Sequence, residues 1–360
     1  MKVHKTNYTI EILRFIFSIT VMLFHFKGTK NYFSNGYFGV EFFFIISGYL
    51  MAVNAEKYTN LNTLSIWEYN IRYVIKKFTS FFVPCLILQL VCFFIDHIQA
   101  NEMSVKVLIS DFLSFPFVIL LLRQWGFSYA EYNNVVWYLS AMIITIFICF
   151  PLLLKYKEKY TLYIAPIITL SILGYFSHRD GYISGIGTYW VFIYKSTLRA
   201  FAVMNLGIIL HSLVGYLKKF KFTNKGRVCL FFTELVSFSI PLWFSVSDTN
   251  DNYELEALFF LCIGIIISFL AITPIDVYFN HHYYIPQKLG KLSLYIYLVH
   301  CPVLWYINPH INNLVSDKAT RLIIYLLCVF ISSWIVMIIT NYINNKILLQ
   351  IKSFLIMLPK

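Results

Sequence analysis

EILRFIFSITVMLFHFKG, residues 11–28, decides how the chain is read. The run is apolar enough to enter a bilayer, yet it carries Glu11, Arg14, Ser18 and His25. An arginine within a membrane helix costs roughly 2.5–3.5 kcal/mol on an insertion scale. Arg14 and His25 stand eleven residues apart. At about 100° per residue they share one face to within about 20°, separated by about 16–17 Å along the axis. Glu11 and Ser18 fall on the same stripe. A polar stripe on a membrane helix faces a bundle interior or a water-filled cavity, not lipid. Singly, a snorkelling arginine or an interfacial histidine would explain Arg14 or His25; four polar residues on one face point to a lined cavity. A cation at its inner end would hold an anionic ligand, and an imidazole at its outer end would act as a base.

The rest of the chain is of the same kind. Of its 360 residues 59% are hydrophobic and 13% charged, where a soluble domain carries about 45–50% and about 25%. The expected fold is an all-α polytopic membrane protein, with one transmembrane domain over 1–346 and a short cytoplasmic or interfacial tail, 347–360. The +12 net charge lies in short clusters between apolar runs, not along one polar face, so no nucleic-acid partner is expected. The cysteines all lie in apolar runs and form no C-x-x-C pair; they read as buried small hydrophobes, with no disulfide framework or metal site expected. Arg14 also interrupts the first apolar run in a way that a cleaved signal peptide does not allow.

Apolar windows suggest ten spans, near 8–27, 36–54, 77–96, 134–154, 160–176, 198–217, 228–246, 255–273, 289–307 and 321–343. Residues 105–122 hold Asp111 and Pro116 mid-run and read as a re-entrant or interfacial element. With both termini cytoplasmic, KYKEK (155–159) and KKFKFTNKGR (218–227) fall inside, while SDTNDNYELE (247–256), which has no positive charge, falls outside.

Further constellations sit at the helix ends. FGVEFFFIISGYLM (38–51) carries Glu41 about as deep as His25, either to fix the histidine tautomer or to pair with a cation of another helix, and Ser47-Gly48 offers a small packing surface. IRYVIKK (71–77) supplies Arg72, Lys76 and Lys77 for phosphates or for headgroups. VVWYLSAM (135–142) brings Trp137 and Tyr138, LRAFAVMNLG (198–207) brings Arg199, and LGKLSLYIYLVH (289–300) brings His300, all to the outer half.

Together these residues resemble the acyltransferase-3 family of integral-membrane O-acyltransferases acting on bacterial surface polysaccharides and other glycoconjugates. The resemblance rests on R-x10-H (Arg14, His25), GVEFFFIISGYLM, WYLSA, LRAFAVMNLG and LG-x-x-SL-x-IYL-x-H (Leu289 to His300), in order over almost the whole chain. It implies ten helices in a bacterial inner membrane and transfer of an acyl group, usually acetyl, from acyl-CoA to a sugar hydroxyl. His25 would be the catalytic histidine and Arg14 its partner in acyl-CoA use; Glu41 is carried with them as a catalytic candidate. Where many relatives hold R-x-x-R, this chain has Arg72, Lys76 and Lys77 at other spacings. Ser18, Ser47, Trp137, Tyr138, Arg199 and His300 are the candidates for lining the cavity or meeting the acceptor.

The expected partners are therefore acyl-CoA as co-substrate, with no permanently bound cofactor, a carbohydrate or glycolipid acceptor, and the bilayer. Oligomeric state is open. The alternative is a transporter of a glycan or small solute; no inverted repeat is visible for it. Some relatives carry a further soluble domain after the membrane part; this chain ends soon after its last apolar run and is expected to act alone.

Overall fold

The structure is a computed structural model that describes residues 6–26, 32–59, 64–99, 105–126, 132–190, 193–248 and 253–357. Among the described residues it is an all-α bundle with one pair of short antiparallel strands, Tyr189–Trp190 against Ile193–Tyr194. The helices are α1 (Tyr8–His25), α2 (Gly39–Thr59), α3 (Ile66–Gln99), α4 (Val105–Ile119), α5 (Trp137–Lys159), α6 (Ala165–Asp180), α7 (Lys195–Leu217), α8 (Asn224–Val246), α9 (Glu254–Leu270), α10 (Pro274–His281), α11 (Tyr284–Pro302), α12 (Asn308–Leu314) and α13 (Lys318–Met357).

Among the described residues seven helices are long and apolar enough to cross a membrane, or eight if the bent pair α9 and α10 counts as one span. The chain is a multi-pass membrane protein, with fewer qualifying helices than the ten expected. Three features account for the difference. Asn134–Asp180 counts once at 47 residues, although Lys157 breaks it at φ 43°, ψ −113°. α9 is short, at 17 residues. α11 is diluted by Lys288, Lys291 and its tyrosines. α4, with 15 residues, is too short to span, and turns its Val105, Phe112 and Leu113 outward. α13 runs on to Met357, so the expected tail continues that helix; residues 358–360 lie outside the described residues.

Local chemistry sets the element ends that matter for the site. Asn7 caps α1 by accepting from the Ile10 amide. At its other end α1 stops where Phe26 turns extended, and His25 closes the last turn. The polar stripe of α1 is laid mainly against α11, where Glu11 fills the space that Gly290 leaves open. α2 lies just as closely along α7, and glycine makes that approach possible. A Cβ on Gly48 would collide with the Met204 carbonyl, and one on Gly207 with the Ile45 carbonyl. The small surface expected at Ser47-Gly48 is this crossing.

Gly48→Ala is expected to force α2 and α7 apart at a cost of about 1–3 kcal/mol, read as a lowered Tm in detergent. Gly174→Ala, where a new Cβ meets nothing within 4 Å, serves as the control and should leave Tm near that of the wild type.

Candidate functional site

Three cavities follow one another along the inner side of α1. The first, of about 400 Å³, surrounds the His25 end and is lined by His25, Tyr37, Trp137, Arg199, Tyr297 and Trp305 among others. The second, of about 200 Å³, shares Tyr297 with the first and adds Arg14, Ser47, Lys77 and Tyr138. The third, of about 480 Å³, shares Arg14, Ile46 and Leu50 with the second and opens among Asn7, Asn54, Lys57 and Lys218. The three are separate pockets that share walls, with Arg14 in the lining of two and His25 in the lining of the other.

His25 is half-buried, and its Nδ1 donates to the Val21 carbonyl at 2.9 Å. A carbonyl only accepts, so Nδ1 carries the proton of the neutral ring and Nε2 keeps its lone pair. The His300 ring packs beside it with centroids 4.9 Å apart. His300 is fully buried and donates from Nδ1 to the Ile296 carbonyl at 3.3 Å, and its own carbonyl accepts from the Tyr325 hydroxyl at 3.2 Å. The two histidines expected at similar depth are therefore in contact.

Glu41 is not held against His25. Its carboxylate accepts from Arg199 Nε in a buried ion pair between α2 and α7, with both side chains 2% exposed or less. Of the two roles open to Glu41, pairing with a cation of another helix is the one the structure contains. Arg199 has 5.9 Å between its guanidinium carbon and the Trp137 ring centre, and its Nη2 has no hydrogen-bond partner. So paired, Arg199 stands in the wall of the His25 cavity with little net charge.

The other candidates divide. Arg14 lines two cavities and is paired with Glu11 at 3.1 Å. Ser47 donates to the Phe43 carbonyl at 2.8 Å and lies 3.1 Å from the Tyr138 hydroxyl, both on the second cavity. Ser18 is fully buried, donates back to the Phe15 carbonyl at 2.7 Å, and lies outside all three linings. Its hydroxyl is satisfied by its own helix, so it packs rather than lines. Arg72 and Lys76 are exposed and outside the three linings, whereas Lys77 reaches the second. The reason is that α3 begins at Ile66, so the basic segment sits on an established helix whose successive positions point in different directions.

Sequence reasoning missed Lys57 and Lys218, which face Arg14 across the third cavity from α2 and just past α7. It also missed Glu254, which opens α9. Glu254 accepts from the Tyr37 hydroxyl at 2.5 Å, from the Ser184 hydroxyl at 2.7 Å and from the Ile183 amide at 2.6 Å. This clamp holds residues 184–186 against the His25 cavity. Its only signal was a carboxylate in a loop read as outside.

Arg199→Ala leaves a buried carboxylate without its partner and is expected to cost about 3–5 kcal/mol, whereas Glu41→Met combined with Arg199→Met should recover most of that loss. Chemical denaturation of the three purified variants checks it.

No curated protein and no solved structure matches the chain. A family model described as an acyltransferase domain matches residues 7–341, which includes every element that builds the three cavities. The chain belongs to the acyltransferase-3 family and is a multi-pass membrane acyltransferase.

Proposed function

We propose that the protein moves an acyl group, acetyl in the first instance, from acyl-CoA to a hydroxyl of a cell-surface polysaccharide or of its lipid-linked precursor, in a bacterial inner membrane with both termini in the cytoplasm. The observation that carries this reading is the run of cavities from Arg14, Lys57 and Lys218 at one end to His25 at the other. A donor with an anionic head and a long thin arm suits that shape. The phosphates rest among Arg14, Lys57 and Lys218, with Lys77 beside the arm. The pantetheine arm passes Ser47 and Tyr138, and the thioester arrives beside His25.

The chemistry then needs a base, a path for the proton and a place for developing charge. Nδ1 of His25 is committed to Val21, so Nε2 takes the proton from the acceptor hydroxyl as its oxygen attacks the thioester carbon. The C–S bond breaks, and the imidazolium returns the proton to the departing thiolate. Arg199, on the same wall, adds a fixed positive field where the carbonyl oxygen gains charge, tempered by Glu41. Tyr37, Trp137 and Trp305 offer aromatic faces to a sugar ring. Transfer through an acyl-His25 intermediate uses the same Nε2 and places the same demand on its lone pair. A transporter would not consume acyl-CoA, and family membership weighs against it.

With radiolabelled acetyl-CoA and the surface polysaccharide of the host, label is expected on the glycan with wild type. His25→Ala, shown folded by gel filtration, should lower the rate by about 10²–10⁴. Glycan export without label transfer would sink the proposal. A neutral imidazole is required, so the rate should fall on acidification as His25 takes a proton, about tenfold per pH unit along the acid limb. An acid limb that persists unchanged in folded His25→Ala, with chemistry limiting, would remove His25 as base. Lys57→Ala and Lys218→Ala are expected to raise KM for acetyl-CoA, whereas Arg72→Ala and Lys76→Ala leave it within about twofold.

A further inference from the structure

His300 and Cys301 are adjacent on the last turns of α11, and His25 ends α1 beside them. Both imidazoles donate from Nδ1 to the carbonyl four residues back, so both present Nε2 as an unprotonated lone pair. His300 Nε2 is buried and has no hydrogen-bond partner. The ligand atoms of His25, His300 and Cys301 lie within 4.8 Å of one another, and among the described residues this is the one His, Cys and carboxylate cluster of that kind. His300 is 0% exposed and Cys301 2%.

We propose that His25, His300 and Cys301 form a binding site for a thiophilic, tetrahedral divalent cation, Zn²⁺ in the first instance. Two imidazoles and a thiolate match its borderline-soft character, and no carboxylate in the trio invites Mg²⁺ or Ca²⁺. A tetrahedral ion would draw the three donor atoms to about 3.4–3.6 Å from one another, a contraction that side-chain torsions supply. His25 and Cys301 both line the 400 Å³ cavity, so the fourth position opens onto it, in the three-ligand pattern that leaves room for water or a hydroxyl. On binding, the Cys301 S–H bond breaks, sulfur keeps the electron pair for the metal, and the proton leaves through the cavity with no change of oxidation state. Arg199, on the same wall, is already neutralised by Glu41 and offers the ion little repulsion. One consequence rests on the acyl-transfer reading above: the ion takes the Nε2 lone pair that the base needs. Metal binding and proton abstraction by His25 then exclude each other, and Zn²⁺ acts as a reversible inhibitor.

The test is metal uptake by the purified full-length protein in detergent, without acyl donor, so that it stands or falls separately from the acyl-transfer reading. Co²⁺ is the optical probe. A thiolate-to-Co²⁺ charge-transfer band and tetrahedral visible bands are expected, both displaced by Zn²⁺. Cys301→Ser should lose the charge-transfer band, and His300→Ala should weaken Zn²⁺ binding by roughly a hundredfold. Because either variant can fail to fold, zinc-edge X-ray absorption on the wild type gives a second reading. One sulfur at about 2.3 Å and two imidazole nitrogens at about 2.0 Å are expected. No stoichiometric uptake, a sulfur-free shell, or a Co²⁺ spectrum unchanged in folded Cys301→Ser would overturn the proposal. In a separate assay, micromolar Zn²⁺ should suppress label transfer and a chelator should restore it.

Discussion

A guanidinium and a carboxylate taken out of water stay charged only if each finds the other, and Glu41 and Arg199 bind α2 to α7 on those terms. The pair sits about two helical turns, roughly 10–12 Å along the axis, from the crossing where backbone meets backbone at Gly48 and Gly207. No side chain separates the helices at that crossing, so their register is set by glycine contact and by the buried ion pair. Much of the His25 cavity depends on that register. Arg199 and Trp137 form one wall, Val40 from α2 adds to it, and the Glu254 clamp lays residues 184–186 along the rim. A shift of one helix past the other would strand two charges in the interior and deform the wall facing His25.

How much of this could be read beforehand depended on the range of the interaction. The α1 stripe was legible because helical period is local: Glu11, Arg14 and His25 reach cavities as their spacing required. Ser18 shares that spacing but does not line, because a serine hydroxyl can be satisfied by the preceding turn, as Phe15 does here. The Gly48 packing surface was legible, but its partner Met204 was not. Glu41 finds Arg199 across 158 positions, and nothing in the spacing of a single chain encodes that choice. Lys57 and Lys218 escaped for the same reason. Each looked like a headgroup lysine, and only the folded arrangement of α1, α2 and α7 turns both toward Arg14. The family resemblance carried Arg14, His25 and His300 together, and the contact between the two histidines gives that grouping a physical content.

The two ends of the path are built from different materials. Near Arg14 the lining holds more polar and charged residues and the lysines are exposed, so ions there stay partly hydrated and their attraction is screened. Near His25 the lining is aromatic and aliphatic with few polar atoms, and a hydrogen bond or a developing charge is felt more strongly. In the proposed reaction, donor binding at one end and chemistry at the other would be separated by dielectric as well as by distance.

The contact between Glu11 and Gly290 has a consequence for the polar end. Glu11 fills the notch of a residue with no side chain, and from there it reaches Arg14 at 3.1 Å. Arg14 therefore already has a tenant. A visitor with one diffuse negative charge gains little by evicting a carboxylate of equal charge tethered one turn away. A visitor with several charges close together wins that exchange. The notch thus leaves Arg14 part-neutralised, and a densely charged anion would gain more from it than a lone carboxylate would.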